Sequence, residues 1–216
     1  MTLVKPLDID TPFGLARAHL ERVDDPGGAL VLGHGAGGGI TARDLVAVAH
    51  GAHSAGFSVA LVEQPYRVAG RRSPAPAHQL DAAWTAVVEH LSASELRGLP
   101  LIVGGRSSGA RVACRTAGAT GAAGVLCLAF ALQPPRRSDA APAASRLPEL
   151  DAVTVPMLVV QGSRDRFGIP PSTELRTVVQ VTGDHSLRSD LGAVEEVARA
   201  WLLGFVEAFE VNAPRQ

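Results

Sequence analysis

Short apolar segments alternate with longer amphipathic segments along most of the chain, and the apolar segments end in glycine-rich or polar turns. Most of the apolar segments are continuous rather than alternating, which is typical of parallel strands covered by helices on both faces. They predict strands at residues 15–20, 29–32, 58–62, 101–104, 125–130, 157–161 and 176–181.

Two amphipathic segments carry apolar residues at three- and four-residue spacing, one at residues 80–91 and the other at 191–209. Both predict helices, and Trp84 and Trp201 lie on the apolar stripes, where we interpret them as core residues. Strand and helix alternate from about residue 29 onward, without an internal repeat or a long linker. We therefore expect one α/β domain over residues 1–216, with a mostly parallel central sheet.

The composition narrows the class of protein. A net charge of −1, 46% hydrophobic residues and 19% charged residues exclude a disordered chain and a strongly basic surface, so we expect no nucleic-acid partner. The longest apolar run, 122–132, is far below the roughly 18 residues of a membrane span, and no secretion signal is recognisable, so we expect a cytoplasmic protein without a membrane partner. Cys114 and Cys127 lie in apolar or helix-like stretches, which predicts buried thiols. Oligomeric state is left open.

The strongest chemical signal is the sequence LIVGGRSSGARVA at residues 101–113, which contains a G-x-S-x-G motif between a predicted strand and a helix-like segment. In this setting the serine occupies a sharp strand-to-helix turn, and side chains at Gly105 and Gly109 would collide with neighbouring backbone. The motif predicts Ser107 as a nucleophile, against the alternative of an ordinary tight turn.

A serine nucleophile needs a histidine base and an acid that orients the histidine. Asp165 follows the strand at 157–161, and His185 follows the strand at 176–181. The chain order Ser107, Asp165, His185 is the order of α/β hydrolases. Asp184 competes for the role of the acid, but its position next to His185 favours a turn residue.

The predicted strand at 29–32 runs into the glycine-rich segment 33–39, where a serine hydrolase places donors for the oxyanion of its intermediate. We predict the backbone N–H groups of Ala36 and Ser108 as these donors and the ring of His34 as a brace for the loop. A phosphate-binding loop is the alternative, but the segment lacks the G-K-[ST] ending of a P-loop. His50 and His53 are three residues apart without a third ligand, so we expect no metal.

Residues 133–148 hold four prolines together with Arg136, Arg137 and Arg146, which predicts a long loop or small lid. With the segment 66–72, this loop brings several arginines toward the expected mouth of the site. They either favour an anionic acyl group or only solvate the loops.

Five motifs occur in order from about residue 29: GHGAG at 33–37, PYR at 65–67, GGRSSGARVA at 104–113, QGSRDRFG at 161–168 and GDHSL at 183–187. This set resembles a small dienelactone-hydrolase-like branch of the α/β-hydrolase superfamily, which also includes the hydrolase-like subunit of the non-specific-lethal histone acetyltransferase complex. The resemblance implies an α/β-hydrolase fold with a minimal cap or none, and a triad of Ser107, Asp165 and His185. A departure is Ser108-Gly109-Ala110, where relatives have Met-Gly-Gly.

These observations lead to a serine hydrolase that cleaves a small-molecule carboxylic ester or thioester without a cofactor. We assign substrate contacts to His34, Gly35, Tyr66 and Arg106, which lie within the motifs. Two alternatives remain: a hydrolase-fold binding module without turnover, as in some members of the family, and transfer of the acyl group to an acceptor other than water.

Overall fold

Eight strands and six helices occur in the part of the chain that the computed structural model describes, residues 6–134 and 144–212, with side chains described through residue 207. The strands are β1 (Leu7–Thr11), β2 (Gly14–Glu21), β3 (Gly28–Gly33), β4 (Phe57–Glu63), β5 (Leu101–Arg106), β6 (Gly124–Leu128), β7 (Met157–Gly162) and β8 (Arg176–Val181). The helices are α1 (Arg43–Ser54), α2 (Pro65–Val68), α3 (Ala77–Ala93), α4 (Ser108–Thr116), α5 (Leu147–Asp151) and α6 (Leu191–Asn212).

The strands form one sheet in the order β1-β2-β4-β3-β5-β6-β7-β8. Strands β3 to β8 are parallel, as the continuous apolar segments predict, and β2 pairs antiparallel with both β1 and β4. The predicted mostly parallel sheet is confirmed. Because parallel strands all end at one edge, the turns after β3, β5, β7 and β8 meet there, and these turns carry the predicted site.

Three details differ from the sequence-based expectations. Strand β1 was not predicted because it is short and alternates Leu7 and Ile9 with aspartates. Strand β6 ends at Leu128 rather than at residue 130, since the chain turns at Ala129 with a φ of 48°. The loop predicted to reach residue 148 ends earlier, because α5 begins at Leu147. Residues 135–143, with Arg136 and Arg137, lie outside the described residues, and so does most of the predicted lid.

The sheet has a separate hydrophobic core on each face. Along β3, Ala29 and Val31 face the core formed with α3 and α4, whereas Leu30 and Leu32 face the core formed with α1 and α6. Trp84 is 1% exposed in the first core, and Trp201 packs against the second. The two faces explain why the strand residues are apolar without alternation.

No helix within the described ranges combines the length and apolar character needed to cross a membrane.

The contact between β5 and β6 at Gly104 generates a first prediction. A Cβ on Gly104 of β5 would overlap with the backbone oxygen of Leu126 on β6. Gly104→Ala should therefore lower the free energy of unfolding by about 1–3 kcal/mol through overpacking. Urea denaturation measures the change. Gly204→Ala, at an open position of α6 with nothing within 4 Å, serves as the control and should not destabilise the protein.

Candidate active site

Ser107 lies between β5 and α4 with φ and ψ of 51° and −102°. A non-glycine residue rarely adopts a positive φ, and such strain costs about 1–3 kcal/mol and occurs mainly at functional sites. The Ser107 N–H donates to the carbonyl oxygen of Leu128 at 2.9 Å, which fixes the turn against β6. The geometry is the sharp strand-to-helix turn that the G-x-S-x-G motif predicts.

Glycines on both sides of Ser107 allow the turn to lie against β3. A Cβ on Gly105 would overlap with the carbonyl oxygen of Gly33 and lie 2.8 Å from the carbonyl carbon of Gly109. A Cβ on Gly109 would overlap with the backbone of Gly33 and lie 2.8 Å from the carbonyl oxygen of His34. Both glycines are therefore required by backbone contact with β3 and the loop after it.

The structure brings the three residues predicted as a triad into one hydrogen-bonded chain. His185 Nε2 lies 3.0 Å from Ser107 Oγ, and His185 Nδ1 lies 2.7 Å from Asp165 Oδ2. Asp165 follows β7 and His185 follows β8, so neighbouring strand ends place them. The Asp165 side chain is fully buried and that of His185 is 19% exposed. With Nδ1–H donated to the carboxylate, Nε2 is the acceptor for the Ser107 hydroxyl.

The Asp165 carboxylate has further donors that hold its orientation. Its Oδ1 accepts from the Phe167 N–H at 2.9 Å, and its Oδ2 accepts from Gln161 Nε2 at 2.8 Å. Gln161 is fully buried and also donates to the carbonyl oxygens of Phe130 and Gly168. Gln161 was not among the predicted site residues, although a polar residue at the end of an otherwise apolar strand was a usable signal.

Asp184, the competing acid, is used elsewhere. Its Oδ1 accepts from the N–H and the hydroxyl of Ser186 at 2.8 and 2.6 Å. The hydrogen bond from the Ser186 hydroxyl lowers the pKa of this exposed carboxyl. Asp184 thus closes the turn that carries His185, and Asp165 is the carboxylate in contact with the histidine ring.

The loop after β3 passes beside Ser107. A Cβ on Gly35 would lie 3.8 Å from Ser107 Cβ, so the backbone at Gly35 borders the serine. Ala36 is in the same loop, and Ser108 is the first residue of α4, where backbone N–H groups have no partner inside the helix. The two predicted oxyanion donors thus come from segments that meet at the serine.

The buried ring of His34 links this loop to the segment after β4. The ring is 3% exposed, Nδ1 donates to the carbonyl oxygen of Gly35 at 2.9 Å, and Nε2 accepts from the Gln64 N–H at 3.2 Å. Burial lowers the pKa of the ring. Both ring nitrogens bond to backbone groups, which agrees with the predicted bracing role of His34. The substrate contact assigned to the same side chain stays a prediction.

Two other residues assigned to substrate contact are held by protein groups. The Tyr66 hydroxyl donates to the carbonyl oxygen of Ala36 at 3.0 Å, and burial raises the pKa of this phenol. The Arg106 guanidinium is paired with Asp44 at 2.7 Å. Both side chains thus bond to groups around the site, and their predicted substrate contacts stay predictions. Of the four assignments, Gly35 is the one next to Ser107.

A pocket of about 330 Å³ opens beside Tyr66, at the same edge of the sheet. It lies between the turn joining β1 to β2 and the start of α3, with Phe13, Leu15 and Leu80 among its apolar walls. The pocket was not predicted from the sequence, because its walls come from segments far apart in the chain. Within residues 6–134 and 144–207, no cluster of three or more His, Cys, Asp or Glu side chains is arranged to hold a metal ion.

Comparison with known protein families agrees with the fold and the motifs. A family model described as an alpha/beta hydrolase domain matches residues 26–196. The chain belongs to this alpha/beta hydrolase family. The superfamily indicated by the five motifs is thereby confirmed, whereas no curated protein matches the chain in sequence.

Solved structures of other alpha/beta hydrolases superpose over nearly the whole chain. A serine hydrolase without a lid from Xanthomonas campestris is 20% identical, with 93% of this chain and 96% of that one covered and a TM-score of 0.71. Est1E from Butyrivibrio proteoclasticus is 16% identical, with 94% and 99% covered and a TM-score of 0.76. A dienelactone hydrolase from Anabaena variabilis is 15% identical, with 93% and 96% covered and a TM-score of 0.72. These similarities establish the fold.

The lowered pKa of His34 predicts a pH dependence of stability. Below its ordinary pKa of 6.5, the histidine binds a proton more readily in the unfolded chain than in the folded one. Its contribution to stability is therefore complete above about pH 6.5 and decreases as the pH falls toward the lower folded-state pKa. Urea denaturation between pH 5 and about 8 should show a steeper loss of stability at acid pH for the wild type than for His34→Gln. Equal slopes would contradict this assignment.

Proposed function

We propose that the protein is a serine hydrolase that cleaves a carboxylic ester or thioester through an acyl-enzyme intermediate on Ser107. The observation that carries the proposal is the hydrogen-bonded chain from Asp165 through His185 to Ser107, with distances of 2.7 and 3.0 Å. Ser107 also has a positive φ, which is the strained backbone expected of the serine in a G-x-S-x-G motif. In such a motif the serine hydroxyl is exposed at the edge of the sheet.

In the proposed acylation step, Ser107 Oγ attacks the carbonyl carbon and its proton passes to His185 Nε2. The carbonyl oxygen becomes an oxyanion, to which the N–H groups of Ala36 and Ser108 donate hydrogen bonds. Collapse of the tetrahedral intermediate breaks the bond to the alcohol or thiol, and His185 returns the proton to that leaving group. Water then attacks the carbonyl carbon of the acyl-enzyme, and His185 takes a proton from it. Collapse of the second tetrahedral intermediate breaks the bond to Ser107 Oγ, which receives the proton from His185 as the carboxylic acid leaves.

The groups around the site favour the two charges that form in this reaction, the imidazolium of His185 and the oxyanion of the substrate. The buried Asp165 carboxylate accepts from the Phe167 N–H and from Gln161 Nε2 besides the histidine ring, so three donors hold it in place. In the triad mechanism, the carboxylate of Asp165 stabilises the imidazolium that forms when Ser107 gives up its proton. The N-terminus of α4 adds a partial positive charge beside the oxyanion.

The first experimental test is labelling with a fluorophosphonate, followed by intact-mass measurement. Wild type should gain the mass of a single adduct, and Ser107→Ala, which keeps a Cβ at the strained position, should gain none. Ser107→Ala and His185→Ala should each lose ester turnover by on the order of a thousandfold or more. A folded wild type without an adduct would contradict the proposal and favour the binding-module alternative.

A second test separates the two aspartates. Asp165→Asn should reduce kcat by on the order of a thousandfold or more, because the amide cannot hold His185 in the required tautomer. Asp184→Asn serves as the matched control, since its side chain bonds to Ser186 and should leave kcat within about threefold. The reverse pattern would show that Asp184 is the acid.

A further inference from the structure

Arg106 directly precedes Ser107, and its side chain reaches two other parts of the fold. Its Nε donates to Asp44 Oδ2 at 2.7 Å, and its Nη2 donates to the backbone carbonyl oxygen of His185 at 3.0 Å. We propose that Arg106 is a positioning residue that holds the His185 backbone in place relative to Ser107. This inference rests on the proposed function, since it concerns the contact between the same serine and histidine.

Asp44 keeps the guanidinium in this position. The Asp44 side chain is 2% exposed, in the first turn of α1, and its other oxygen accepts from the Leu45 N–H at 3.0 Å. A buried carboxylate that loses its cationic partner is strongly destabilising. Arg106 therefore cannot turn toward a substrate without leaving the charge of Asp44 unpaired. This is the reason to give Arg106 a positioning role rather than the substrate contact that the sequence suggested.

The segment around His185 is held from several sides. Leu187 is fully buried in the core beside α1, and the carboxylate of Asp184 accepts from the Ser186 N–H. Arg106 adds a hydrogen bond to the carbonyl group of the histidine itself. This hydrogen bond fixes the backbone from which the ring extends toward Ser107.

The same guanidinium borders the loop after β3. A Cβ on Gly35 would lie 2.9 Å from Arg106 Nη1, so glycine at this position leaves the space that the guanidinium occupies. One side chain thus contacts the start of α1, the histidine turn and the loop of the predicted oxyanion donors. Because Arg106 is the residue directly before Ser107, it links the start of α1, the histidine turn and the loop after β3 to the nucleophile.

This geometry predicts a kinetic signature. A shift of about 1 Å between reacting groups can reduce the rate on the order of a hundredfold. Because the 3.0 Å contact between His185 and Ser107 acts in the chemical step, losing the Arg106 hydrogen bond should lower kcat and leave KM unchanged. A substrate-binding arginine would show the opposite split, with a raised KM and an unchanged kcat.

The test compares Arg106→Ala and Arg106→Lys with the matched controls Arg115→Ala and Arg115→Lys. Arg115 is also 20% exposed and is paired with Asp81, but it lies near the far end of α4. On a small neutral ester, Arg106→Ala should lose about 10- to 100-fold in kcat with KM within about twofold. Lysine keeps the charge beside Asp44 and should recover part of kcat, as should guanidinium ion added to Arg106→Ala. Both Arg115 variants should retain kcat.

Hydrogen exchange on the same variants provides a measurement that needs no turnover. The N–H groups of Ser186 and Leu187 bond to Asp184 at 2.8 and 3.1 Å, so peptides over residues 182–189 should exchange slowly in wild type. Arg106→Ala should exchange faster there than the Arg115 controls. If Arg106→Ala does not fold, Arg106→Lys takes its place, since one ammonium group does not reproduce the two contacts that the guanidinium makes through separate nitrogens. It should then exchange faster at 182–189 than Arg115→Lys, and equal exchange would overturn the inference.

Unchanged exchange at 182–189, or a raised KM with full kcat, would overturn the inference. Wild type that shows protected exchange but no fluorophosphonate adduct would contradict the proposed function alone, because the exchange measurement still reports whether Arg106 holds the turn.

Discussion

The backbone contact between the nucleophile turn and β3 is the constraint on which the rest of the site depends. Gly105 and Gly109 lie so close to Gly33 that a Cβ on either residue would overlap with its backbone. This contact brings the N-terminus of α4 next to the loop after β3, so that segments far apart in the chain lie on two sides of Ser107. Without this contact, the N–H groups of Ala36 and Ser108 would not lie close enough together to bind the same oxyanion.

A second constraint is the placement of charge in a buried setting. Asp165 has no exposed side-chain surface, and its oxygens accept from a backbone N–H, from Gln161 and from His185. Asp44 is similarly buried and depends on Arg106. Because a desolvated carboxylate requires a fixed donor, each aspartate restricts the side chain that serves it. The histidine ring bonds directly to one buried carboxylate, Asp165, and its backbone carbonyl group bonds to Arg106, which is paired with the other, Asp44.

Sequence analysis predicted the parallel sheet and the positions of Ser107, Asp165 and His185, because these depend on local signals: apolar runs, a glycine-spaced serine and polar residues directly after strands. It did not predict the partners of Arg106 and Tyr66, which it assigned to substrate contact, whereas for His34 it predicted a bracing role as well as a substrate contact. A long polar side chain beside a motif has the same appearance in sequence whether it faces solvent or a buried group such as Asp44. The difference appears only when α1 is packed against the sheet.

The backbone at Ser107 places stability and chemistry in opposition. A φ of 51° is unfavourable for any residue with a Cβ and free of that penalty for glycine. A glycine at this position would therefore relax the turn and stabilise the fold while removing the hydroxyl. A protein with this fold that only bound a partner would therefore be more stable with glycine than with serine at this position. The strained serine is thus a feature that folding alone would not maintain.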